Sequence, residues 1–217
     1  MMGRLFRPLL AHNIYSHLMH DSITYTANIT KGSLKLRESR IVAGLLMDKV
    51  SPSEWKNAIE KQNVLQCRSV ATATSLAGFL RARLEYFDSE LWKMVRDGDR
   101  TLASQALLVC AMKHSALMRD FMDLNLRDEY RKFRPKLATS VWTGYLEGCR
   151  SRDPNMPDWF ETTKNRLRST VFQILAQVGY LSDTAARELK PVTILPELIT
   201  YLREKGETHL IRCLQLP

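Results

Sequence analysis

An all-α, multi-helix globular fold follows from three observations on this 217-residue sequence. From Leu34 onward, apolar residues recur at three- and four-residue spacing almost without interruption, the period of a helix with one buried face. Helix-capping residues stand at the heads of these segments, and Gly or Pro stands at several of their ends. Apolar residues make up 45% of the chain and mean hydropathy is -0.25, which suits a soluble chain long enough to bury its own core.

The elements are expected in this order. Thr24 to Thr30 is a short polar, β-prone run ending in a turn at Lys31-Gly32. Leu34, Ile41, Val42, Leu45 and Leu46 share one face of a first helix. Ser51-Pro52-Ser53-Glu54 combines an N-cap, a proline at the first helical position and a capping box, so a helix is expected from Pro52 to about Gln62. Ser69 caps a third helix to about Phe87, with Ala73, Leu76, Ala77, Leu80 and Leu84 inward. Asp88-Ser89 opens a short helix that stops at Gly98. Asp99 opens the next, and helical patterning continues with breaks to about Phe133. Arg134-Pro135 is the expected boundary, because the residue before proline avoids the helical region. Thr139 or Ser140 caps a helix to about Arg150, and Asp153 to Pro157 is a loop. A long helix is expected from about Asp158 to Val178 on a stripe of Leu167, Val171, Ile174, Leu175 and Val178, stopped by Gly179. An extended segment from Pro191 to Pro196 precedes short helices at Leu198 to Lys205 and Thr208 to Leu214. This divides the chain into an extension, 1–22, an N-terminal helical domain, 23–135, whose first three helices form a helix-turn-helix-like trio, and a smaller C-terminal helical, winged-helix-like domain, 136–217.

The formal charge of +9 favours an anionic partner such as nucleic acid. No apolar run reaches the length of a membrane helix; the longest, Ala103 to Met112, is about half of it and contains Ser104 and Gln105. The N-terminal residues lack the apolar core and cleavage site of a secretory signal. Cys67, Cys110, Cys149 and Cys213 lie far apart, which suits a reducing cytoplasm better than a disulfide framework.

Catalytic motifs are missing. Lys31-Gly32-Ser33 matches the end of a phosphate-binding loop but lacks the upstream glycine and buried strand. The five histidines include no pair at metal-ligand spacing inside a confident helix, so neither a metal nor a cofactor is expected. Four tryptophans, Trp55, Trp92, Trp142 and Trp159, fall in separate helical segments and are expected as core or interface anchors.

Binding residues are more evident. Lys31, Lys35, Arg37 and Arg40 cluster around one acid, Glu38, with Arg37 and Arg40 away from the first apolar stripe. Opposite the core stripe of the third helix lie Arg68, Ala71, Thr72, Ser75 and Gly78, with Arg81 and Arg83 at the edges. Small residues, hydroxyls and arginines on one face suit contact with a DNA groove; they suit close helix packing as well, and a protein interface is the third alternative. On the long C-terminal helix Arg166, Ser169, Thr170 and Gln173 lie away from the core, with Lys164 and Arg168 at the margins, either as a recognition face or as a solvated one.

The run Tyr25-Thr26-Ala27-Asn28-Ile29-Thr30-Lys31-Gly32-Ser33-Leu34, followed by Glu38-Ser39-Arg40-Ile41-Val42-Ala43, resembles the BrxA family of BREX (bacteriophage exclusion) systems. Asn63-Val64-Leu65 before Arg68-Ser69, Leu80-Arg81-Ala82-Arg83-Leu84, Trp159 before Leu167-Arg168, and Gly179-Tyr180-Leu181 continue the resemblance in order. It covers about Tyr25 to Leu214 and leaves out residues 1 to about 22. It implies a small cytoplasmic helical protein of an antiviral operon, non-enzymatic, acting beside a methyltransferase, an ATPase and a phosphatase-like protein as a DNA-binding accessory factor. The expected partners are therefore double-stranded DNA and other BREX defence proteins, with no membrane. The alternative is an adaptor that assembles other defence components without touching DNA.

Overall fold

The computed structural model describes residues 23–217; the expected N-terminal extension lies outside the described residues. After a 3₁₀ turn at Asn28–Lys31 come α1 (Leu36–Met47), α2 (Pro52–Lys56, continued by a π-helical turn at Asn57–Lys61), α3 (Val70–Leu84), α4 (Ser89–Asp97) and α5 (Arg100–His114). Next are α6 (Ala116–Asp120), a π-helical turn at Phe121–Leu126, α7 (Arg127–Arg131), α8 (Thr139–Arg152), α9 (Glu161–Val178), α10 (Pro196–Glu204) and α11 (Thr208–Leu214). The expected all-α class holds.

Side-chain capping sets the starts of α2 to α6. Ser51 accepts from the Glu54 amide at 3.3 Å while the Glu54 carboxylate accepts from the Ser51 amide at 2.7 Å, so the capping box is closed at both ends. Ser69, Asp88 and Asp99 cap α3, α4 and α5 by accepting from Thr72, Glu90 and Leu102 amides. Gly179 ends α9 at φ 104°, a left-handed stop that favours glycine. Three starts differ from expectation, α10 among them, which begins at Pro196 rather than Leu198. Ala138, which has no capping side chain, precedes α8, leaving Thr139 inside the first turn. The α9 helix begins at Glu161, after Phe160 in an extended conformation, and Asp158 instead pairs with Arg150. Leu34 lies outside α1 but is buried as the apolar stripe requires, and its amide donates to Gln177 Oε1 at 3.1 Å. The β-prone run ends as the 3₁₀ turn rather than a strand.

The α5 helix is the centre of the fold. Every residue from Leu102 to Met112 is buried, including Ser104 and Gln105. A helix that is apolar all round belongs in a core, and this one is too short for a bilayer. Gln105 is satisfied there, donating to Thr193 O and accepting from Leu195 N, both at 2.9 Å, which pins the expected extended segment without making it a strand. Around α5 pack α1, α3 and α4 from one side and α9, α10 and α11 from the other. One apolar core therefore runs through both sides of the Arg134-Pro135 boundary, containing Tyr25, Leu34 and Val42 together with Leu167, Leu175 and Leu202. Trp142 is buried in it, and Trp55, Trp92 and Trp159 pack at its edge.

C-terminal to α7 the chain takes a particular order. Lys136 bridges Glu188, and Leu181 bridges Leu189, both antiparallel. Leu137 N donates to Arg187 O at 2.9 Å, Leu189 N to Pro135 O at 3.0 Å, and Ser182 N to Glu188 O at 2.9 Å. Three short extended pieces thus frame α8 and α9, and the 182–188 loop projects beside α9. Among the described residues these pairings are isolated bridges and no strand forms.

Candidate nucleic-acid interface

The first expected cluster is split by the fold. Arg40 is half-buried and donates to Arg96 O at 3.3 Å and Gly98 O at 2.7 Å, so its charge serves the carbonyl end of α4. Arg83 is 2% exposed, donates to Ser33 O at 2.9 Å and Gly32 O at 3.1 Å, and lies 4.1 Å from the Phe79 ring. Both were expected at a DNA surface, and both instead hold the backbone together. The helical wheel placed Arg83 at an edge, but the Lys31–Leu34 segment folds over that edge and covers it. Arg37 remains exposed and donates to the Gln66 side chain. Arg81 is exposed but pairs with Glu85 at 2.7 Å and sits 4.8 Å from the Trp55 ring. Arg68 is exposed at the α3 head.

Three separate expectations converge instead. Lys31, Lys35, Thr72, Ser75 and Arg166 line one groove between the 3₁₀ turn, α3 and α9, with Ala71, Leu76 and Phe79 as its floor and no carboxylate in the lining. Arg166 is aligned by a 3.0 Å bond from its Nε to Thr30 O. The small polar face of α3, Ala71, Thr72, Ser75 and Gly78, is open to solvent, and a Cβ added at Gly78 would meet nothing within 4 Å. Among the described residues no helix packs on this face. Nearby, burial first, then Arg83 and Lys31, push the half-buried His114 below its ordinary pKa.

A second groove lies across α9. Arg168, Ser169 and Gln173 face Thr139, Phe172, Thr184 and Arg187, again with no carboxylate in the lining. Arg187 Nε is buried and without a partner, so this guanidinium retains donor capacity beside the groove. Sequence reasoning missed Thr139, Thr184 and Arg187, because the bridges to Glu188 and Leu189 bring that loop to α9 and no local pattern announces it. The signal that was available is the order of a long basic helix followed by a glycine stop and a polar loop. Lys164 turns to the opposite margin, where it pairs with Glu161 at 2.8 Å, in a mixed-charge cleft with Glu147, Arg150 and Arg168.

The structure also gathers Asp123, His209 and Cys213, whose ligand atoms lie within 4.8 Å of one another. Asp123 is already engaged by Arg212 at 2.9 Å and Arg127 at 3.2 Å, and burial pushes the Cys213 thiol up to about 12. Two guanidiniums and a protonated thiol fit an ion-pair knot and oppose a metal cation. Among the described residues, no helix is long and apolar enough to cross a membrane.

Comparison with known proteins places the chain. The BrxA family model matches residues 23–206. A relative from Paramagnetospirillum magneticum named BREX protein BrxA is 50% identical over 192 residues, covering 88% of this chain and 96% of that protein. Another of the same name from Escherichia coli O9:H4 is 28% identical over 201 residues, covering 93% and 94%. A crystal structure of an uncharacterized protein from Magnetospirillum magneticum matches with a TM-score of 0.83 at 48% identity, covering 90% of this chain and all of that one. The chain therefore belongs to the BrxA family, as its sequence resemblance implied.

Proposed function

We propose that this protein is a non-enzymatic, double-stranded DNA-binding accessory factor of a BREX-type phage-defence system, holding DNA mainly through its phosphates. The observation that carries this reading is the pair of carboxylate-free grooves flanking α9. Each combines cations with hydroxyls, the donor set that fixes phosphate oxygens without reading sequence. Arg166 and Ser169, three residues apart on α9, belong to different grooves, so one duplex laid along the helix meets both. The non-enzymatic part is supported by the pairing of the best-clustered ionisable groups, those around Asp123, among themselves.

Fluorescence anisotropy with a labelled duplex across a salt series tests this. Log affinity should fall linearly with log salt, and replacing Lys31, Lys35 and Arg166 by Gln should lower the slope by roughly 0.9 per lost phosphate contact. No binding at low salt, or binding indifferent to salt, would overturn the reading.

One observation favours the adaptor as a second role. Glu90, Asp97, Glu197 and Glu204, with the one cation Lys93, rim a groove between α4 and α10 that also has Met94, Leu102 and Tyr201 in its lining. An acidic rim over apolar side chains on a basic protein suits a basic protein partner, and other BREX proteins are the expected source. A complex purified from the native operon that survives nuclease and high salt would support this role, and one dispersed by nuclease would remove it.

A further inference from the structure

The segment Arg131–Lys136 was not among the expected contacts, and three features set it apart. Phe133 is 92% exposed, more than any other large apolar side chain described, although burial is the usual fate of an aromatic ring of this size. It holds φ at 52°, a left-handed conformation that bulky side chains rarely adopt and that Gly or Asn would take at less cost. The backbone there is tied down, with Phe133 N donating to Tyr130 O at 2.9 Å and Arg134 N to Glu129 O at 3.1 Å, so the ring is projected by folded structure. Around it stand Arg131, Lys132, Arg134 and Lys136, all exposed. Lys132 pairs with Asp128 at 2.5 Å. Arg131 and Arg134 form no ion pair among the described residues.

We infer that this tip is a DNA contact in its own right, in which the Phe133 ring wedges into a base-pair step from the minor groove while Arg131 and Arg134 bind the flanking phosphates. The inference rests on the duplex-binding reading above and adds a deformation to it. An apolar ring projected among cations is the arrangement by which minor-groove binders unstack and kink DNA. The tip also continues into the second groove: Leu137 N donates to Arg187 O, and Leu189 N to Pro135 O, so the segment after Phe133 is bonded to the loop that faces Arg168. Burying the ring offsets part of the unstacking, and pyrimidine–purine steps yield most readily.

A 20-base-pair duplex with a central TA step, labelled at both ends for energy transfer, tests the wedge, with anisotropy on the same duplex measuring affinity. Saturation with the wild-type protein should raise transfer, reporting a bend of roughly 20–90°. Phe133→Ala should abolish the rise, weaken binding by roughly 5- to 150-fold as loss of one stacking side chain does, and leave the salt slope unchanged. Phe133→Trp should keep the bend. Replacing Arg131 and Arg134 by Gln should instead lower the slope by roughly 0.9 each. Wild-type binding without a change in transfer, or a bend that survives Phe133→Ala, would overturn the wedge and leave the duplex-binding reading standing. Failure of the wild type to bind at low salt would remove both.

Discussion

Replacing Tyr25 by Phe removes one oxygen from the described start of the chain, and the structure gives its expected cost. The ring is fully buried. Its hydroxyl donates to Asp120 Oδ2 at 2.6 Å and accepts from Arg152 Nε at 2.8 Å, while its amide donates to Asp153 Oδ2 at 2.9 Å. Burial, then the Asp120 carboxylate, hold the phenol proton well above its ordinary range against the opposing Arg152, so the group stays a donor. Tyr25→Phe keeps the packing and the amide bond and deletes both hydroxyl bonds, each to a charged partner. Bonds of that kind contribute about 1.5–3 kcal/mol. Asp120 retains Arg119 at 3.1 Å and the two losses share one oxygen, so about 3 kcal/mol is expected for the pair. For a chain of this size that is a fall in Tm of roughly 6–12 °C. Urea melts should show a lower midpoint at an unchanged m-value, with an unchanged salt slope for DNA. A loss below about 0.5 kcal/mol would refute the reasoning, since the expected cost is of full charge-assisted bonds.

Two further outcomes follow from other parts of the fold. Burial alone would raise the Asp123 carboxyl, but Arg212, His209 and Arg127 outweigh it and hold the group below its ordinary value. Its contribution to stability is therefore complete above the unfolded value of about 3.9 and is lost as pH falls through the folded one. Asp123→Asn should cost about 2–4 kcal/mol at pH 7, discounted for the exposure of Arg212, and should flatten the acid limb of urea midpoints below pH ~4; a limb that superimposes on the wild type's counts against it. Phe133→Gly should be more stable than Phe133→Ala by about 0.5–1 kcal/mol in thermal melts, because glycine relieves the left-handed strain at a smaller entropic cost; the reverse order would mean that the folded state does not hold that conformation.

Helix starts were largely legible because capping is local. Ser51, Ser69, Asp88 and Asp99 each bond to an amide two or three residues ahead, and such contacts depend on neither topology nor burial. The cap of α8 and the start of α9 were misplaced, since Thr139 falls inside the first turn of α8 and Asp158 pairs with Arg150. For the site, helical facing correctly separated Thr72, Ser75, Arg166 and Ser169 from the core. It failed for Arg40 and Arg83, since a wheel describes a helix alone and both arginines are claimed by backbone carbonyls of other elements.

By itself, then, the sequence determined the all-α class, many of the helix boundaries, the family and the basic character of the surface, because period, capping and charge are properties of neighbouring residues. Only the tertiary structure decided which cations are available to a partner. Arg83 and Arg166 look alike as basic residues of helix faces, yet one is buried under Gly32 and Ser33 while the other meets Lys31, Lys35 and Ser75 across 91 or more residues of sequence. Long-range packing sets that difference, and it brought the 182–188 loop to α9 and left Phe133 in solvent.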